Sequence, residues 1–150
     1  MTAGAWRPAL LGVAVGLAIG ACMQRAPTPM PGWEVAHERR NEIALLSTQI
    51  RDWRREAGMS VEPAAAWVLQ ARPMDVRTAK AVCPPSHHVS ATCGDVCDLA
   101  DAICDNAESI CSIAGELGDD AWAKDKCDSA KASCREAKQR CCACDAPTEP

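Results

Sequence analysis

The sequence predicts an all-α protein: a disulfide-zipped antiparallel helical hairpin, with an N-terminal amphipathic helix packed on it as a three-helix domain. Three observations carry that class. Cysteine recurs on a heptad period in two successive segments, at Cys97, Cys104 and Cys111 and again at Cys127, Cys134 and Cys141. Alanine repeats on the same period between them, at Ala100, Ala107 and Ala114 and at Ala123, Ala130 and Ala137. The chain has no Phe and no Tyr, so its core is thin, and exported domains with thin cores rely on cross-links.

The first segment, residues 1–21, has the order of a secretory signal. One basic residue, Arg7, precedes the apolar run from Ala9 to Ile19, and small residues follow. That run is shorter than the about 20 apolar residues a spanning helix needs. The stretch IGAC, Ile19 to Cys22, resembles the bacterial lipobox. The resemblance implies a diacylglycerol on the Cys22 sulfur, cleavage before Cys22 and an acylated new N-terminus. Met23 follows, not the Asp that resembles an inner-membrane retention signal, which tilts the expected location to the outer membrane.

Residues 22–32 are Pro-rich and lack an apolar period, so they read as an extended tether. Residues 33–58 form the expected amphipathic helix. Ile43, Leu46, Ile50 and Trp53 recur at helical spacing, and charged residues occupy the rest of the surface. Arg39, Arg40, Arg51, Arg54 and Arg55 are read there as a solvated face balanced by Glu34, Glu38, Glu42, Asp52 and Glu56.

Residues 59–92 form a connector broken by Pro63, Pro73, Pro84 and Pro85, with short helices expected at Pro63–Ala71 and Asp75–Val82. Thr92 and Asp95 have the spacing of a capping box for the next helix. That helix is expected to end near Leu117, with Gly118 as its C-terminal cap and Asp119 or Asp120 as the N-cap of a second helix. Residues 93–144 are the Cys-rich hairpin, and residues 145–150 a fraying tail.

The hairpin register follows from counting. Facing residues of two antiparallel helices share a constant index sum. The pairs Cys97–Cys141, Cys104–Cys134 and Cys111–Cys127 share one such sum, so all three can close together. A disulfide needs Cα atoms about 4.4–6.8 Å apart, and packed helix axes lie about 8–10 Å apart. The pair is therefore expected at the close end of that range, and alanine at every d position permits the approach.

Cys93–Cys144 shares the alanine sum and is the expected fourth bridge. Cys83–Cys142 follows by elimination. With Cys22 set aside, the 11 cysteines leave an even ten, as five bridges require. Asp101–Lys138 and Glu108–Lys131 are the expected charge pairs along the flank. Val96, Ile103, Ile110 and Leu117 form an apolar stripe outside the seam, expected either to pack against the Ile43–Trp53 face or to serve as a partner face.

A rival reading of helical cysteines is metal storage. CGDVC, Cys93 to Cys97, is similar to the C-x3-C pairs of exported copper-storage bundles, and soft thiolates select Cu(I). His87 and His88, between Cys83 and Cys93, are the weaker candidate ligands for Zn or Cu. An oxidising compartment and the coincident index sums favour bridges. No Ser/His/Asp arrangement, phosphate-cradling glycine loop or HExxH occurs, so no catalytic residue and no cofactor is expected.

The net charge of −4 carries no basic excess of the kind nucleic acid selects. The module from Cys83 to Cys144 resembles that of small bacterial Cys-rich lipoproteins; the twin C-x9-C hairpins of mitochondria share its principle but not its spacing. The expected role is that of a lipid-anchored cell-envelope protein, structural or protein-binding rather than enzymatic. Its expected partners are the membrane, through the anchor, and an envelope protein.

Overall fold

The computed structural model describes residues 32–84 and 88–144. The signal, lipobox and tail expectations lie outside the described residues. Those described form five helices and no strand: α1 (Gly32–Glu56), α2 (Ala65–Ala71), α3 (Val76–Lys80), α4 (Gly94–Glu116) and α5 (Ala121–Cys144).

The hairpin of α4 and α5 is the centre. Its turn is made by Gly118, whose φ of 63° lies in the left-handed region that a Cβ disfavours. Asp120 then caps α5: its Oδ1 accepts from the Ala123 N–H at 3.0 Å. The expected start of α4 is corrected. Thr92 does not form a capping box. Cys93 is the N-cap, with no side-chain cap bond, and the Thr92 hydroxyl pairs with that of Ser90 at 2.9 Å. The bridge from Cys93 to α5 fixes Cys93 at the helix mouth, which leaves Thr92 one residue too early to cap.

Five disulfides join the hairpin and its approach. Cys97–Cys141, Cys104–Cys134 and Cys111–Cys127 have Cα separations of 4.8, 4.6 and 4.7 Å. Cys93–Cys144 closes the open end at 6.0 Å, and Cys83–Cys142 ties the connector to α5 at 5.4 Å. Four of these pairings are the ones the index sums predict, and Cys83–Cys142 is the one elimination leaves. Because Cα atoms lie about 2.3 Å from a helix axis, the seam separations put the two axes no more than about 9 Å apart. All six d-position alanines are buried in that space.

The third long helix completes the bundle. Ile43 and Ile50 of α1 are buried in one cluster with Ile103 and Ile110 of α4, and Leu46 and Trp53 pack on its edge. Polar contacts give the direction. Arg39 pairs with Glu116 at 3.2 Å, and the Asn106 amide donates to the Gln49 side chain at 2.8 Å. Arg40 pairs with Asp120 at 2.6 Å, and Arg54 with Glu136 at 2.8 Å. Thus α1 runs antiparallel to α4 and parallel to α5, the expected three-helix domain.

The connector helices fasten over the hairpin with cations. Asp75 caps α3 by accepting from the Thr78 N–H at 2.7 Å. Lys80 of α3 donates to Asp105 at 3.0 Å and Glu108 at 2.9 Å on α4. The flank pairs are therefore half corrected. Asp101 and Lys138 are joined, but Glu108 is taken by Lys80. Lys131, nearly buried, donates instead to the carbonyls of Arg72 and Met74, at 3.2 and 3.0 Å, and pairs with Asp128 at 2.9 Å. Nearly buried, Lys131 meets there the carbonyls left open where α2 ends and the Asp128 carboxylate together, which Glu108, held by Lys80, does not supply.

The seam tolerates nothing larger than alanine at its centre. Ala107, with no exposed surface, faces α5 between two bridges. Ala107→Leu is expected to destabilise the fold by about 1–3 kcal/mol through overpacking. Leucine at the exposed Ser112 is expected to stay within about 0.5 kcal/mol of the parent. Guanidinium denaturation of the oxidised proteins checks the difference.

Candidate functional site

The apolar stripe is the first candidate, and the structure removes it as a partner face. Ile103 and Ile110 have no exposed surface, and Leu117 packs against the same core. Ile43 and Ile50 of α1 lie in that core with them. Val96 is half-buried beside Arg140, Ala143 and Cys144 at the open end of the hairpin. An isoleucine stripe of this length has more area to bury than a two-helix seam lined by alanine provides, so α1 takes it.

The metal alternative meets a sulfur already in use. Cys83 and Cys93 are bridged to Cys142 and Cys144, so neither offers a thiolate. His88 is exposed, and His87 lies outside the described residues. No group of three or more His, Cys, Asp or Glu placed to hold a metal ion occurs among the described residues. Cys22, the expected acylation site, also lies outside them.

Two features that sequence reasoning missed define the two ends of the bundle. At the open end, Arg54 has no exposed surface, which corrects its reading as part of a solvated face. Its Nε donates to the Ser60 carbonyl at 2.8 Å and its Nη2 to Glu136 at 2.8 Å, while its Nη1 is buried without a hydrogen bond among the described residues. The signal was present in the spacing. Arg54 lies four residues beyond Ile50 and three before Ala57, inside the stripe that α1 buries. The chain then turns back at Gly58, whose φ of 69° is left-handed and where a Cβ would meet the Arg140 guanidinium at 3.2 Å.

At the turn end, Arg40, two turns into α1, meets the start of α5. The Arg40 Nε donates to Asp120 at 2.7 Å, and its guanidinium carbon lies 5.7 Å from the centre of the Trp122 ring. Lys126 lies 5.9 Å from the same ring. Trp33, Ala36, His37 and Arg40 share one face of α1 and, with Asp120, line an open depression. Trp33 is 70% exposed and Trp122 37%. The Ala123 N–H, and after it the Arg40 guanidinium, hold the Asp120 carboxyl below the usual carboxylate range.

Two outcomes follow. Glu136→Gln leaves the Arg54 charge buried with no carboxylate and is expected to destabilise more than Glu136→Gln combined with Arg54→Met. A denaturant double-mutant cycle measures the difference. Asp120, with its folded pKa lowered, adds stability above the unfolded carboxylate pKa of about 3.9. That stability is lost as pH falls through the folded value. Asp120→Ala is therefore expected to be less stable than the parent at pH 7, with the two converging at strongly acid pH, as read by denaturation midpoints across the range.

No helix among the described residues is long and apolar enough to cross a membrane. No family model matches this chain, and neither a curated protein nor a solved structure does.

Proposed function

We propose that this chain is a lipid-anchored protein of the bacterial cell envelope. Cys22 carries the acyl chains, and the stapled helical module beyond the tether acts as a structural or protein-binding element without catalysis. The supporting observation is the fate of the sulfurs. Of the 11 cysteines, ten are closed in the five bridges. The remaining one is Cys22, which stands directly after the apolar run in the lipobox-like IGAC.

Bridges of this density persist in oxidising compartments, where an exported chain folds. A second acyl chain makes membrane attachment stable, because each buried methylene contributes about 0.8 kcal/mol. The module bears an acidic α4 surface and a net basic α5. Internal pairs such as Lys80 of α3 with Asp105 and Lys138 with Asp101 tie part of both surfaces. Met23 in place of Asp after the acylated cysteine supports the outer membrane as its location.

Intact mass of the native, non-reduced protein tests the reading. Material from the membrane fraction is expected to begin at Cys22, to carry acyl mass and to lack ten hydrogens relative to the thiol form. Cys22→Ser is expected to release the module from the membrane. An unacylated Cys22, or free thiols that take up stoichiometric Cu(I), would overturn it, the latter in favour of a metal-binding lipoprotein.

A further inference from the structure

We propose that the turn end of the bundle rests in the headgroup interface of the bilayer that holds Cys22, with Trp33 and Trp122 as its contacts. The inference deepens the lipid-anchor reading and rests on it.

The chain between anchor and fold limits how far the turn end can stand from the membrane. Ten residue steps separate Cys22 from Gly32, where α1 begins. At no more than about 3.6 Å per residue, that span reaches about 36 Å at most. The 24 residues of α5 rise about 36 Å. The membrane surface is thus held within about one bundle length of the α1 N-terminus. Arg40 bonded to Asp120 places that N-terminus at the hairpin-turn end, about 12 Å beyond the contact. The Cys93–Cys144 and Cys83–Cys142 bridges close the opposite end.

The chemistry of the near end fits a lipid interface. Two of the five tryptophans lie there, Trp33 and Trp122, both exposed, whereas Trp53 and Trp67 are half-buried elsewhere. An indole has an apolar body and one N–H donor, which is why tryptophan collects at the boundary between hydrocarbon and water. Arg40 and Lys126 flank the Trp122 ring on long apolar stems whose charged heads can stay in the aqueous layer.

Charge selects the lipid class. Glu34, Glu38, Asp119, Asp120 and Asp125 at this end offset, and by one outnumber, Arg39, Arg40, Lys124 and Lys126. The contact therefore suits zwitterionic headgroups, not an anionic surface. The two rings need little affinity of their own, because the tether makes their contact intramolecular and raises the effective concentration.

Trp emission in phosphatidylcholine vesicles brominated on the acyl chains tests this with the mature acylated protein. Bromine is expected to quench the parent. The quenched fraction is expected to fall by more than half in W33F/W122F and to rise in W67F, which removes an unquenched ring. Equal quenching of the parent and W33F/W122F, or no quenching, in protein whose mass shows acylation overturns the docking while the anchor stands. Protection of these rings in native membranes but not in protein-free vesicles also overturns it, in favour of a protein partner. Absence of acyl mass at Cys22 removes both readings.

Discussion

The disulfide seam between α4 and α5 sets the terms for everything around it. A bridge can close only when its Cα atoms lie within a few ångströms, and three bridges spaced by heptads impose that limit along the whole contact. The residues between them must then be small, and alanine occupies every such position. Rigid helices with a shared period allow one register that satisfies all three bridges. The cross-links contribute about 2–4 kcal/mol each when taken singly. Nested loops do not add simply, but the order of magnitude exceeds what alanine burial supplies.

A seam lined with alanine and cysteine has a consequence for the rest of the fold. It uses one stripe of each helix and leaves the isoleucines of α4 beyond it. Those side chains need a partner, and α1 brings Ile43 and Ile50 to them. The bundle is thus a covalent pair with a conventionally packed third member. The connector has little apolar mass to contribute. Its short helices are held at their rims by Lys131 on the carbonyls of Arg72 and Met74, by Lys80 on α4 and by Arg135, 5.7 Å from the Trp67 ring centre.

The module is chemically polar along its length. The open end gathers the bridges of Cys83 and Cys93, the buried Arg54 and the left-handed Gly58 against Arg140. The turn end gathers exposed indoles and cations beside the N-terminus of α1. Covalent closure at one end and amphipathic side chains at the other suit the surface attachment proposed above for the N-terminal end. That asymmetry follows from chain direction: α1 runs parallel to α5, so the N-termini of both helices lie at one end.

The sequence by itself determined the helices, the hairpin and its register. These are one-dimensional properties: a helix repeats regularly, so the positions of Cys97 to Cys111 and of Cys127 to Cys141 set which residues face each other, and bridge geometry leaves no alternative. The pairing Cys93–Cys144 extends the same count, and the α5 cap is local, read from the sequence as Asp119 or Asp120. The tertiary structure alone decided which partner covers the isoleucine stripe, why Glu108 belongs to Lys80, and why Lys131 serves the end of α2. It also decided that Arg54 is buried against Glu136, although its place in the stripe hinted at it. Those outcomes depend on how α1 and the short connector helices dock on the hairpin, and docking is governed by side-chain shape and open carbonyls in three dimensions, which no periodicity along the chain encodes.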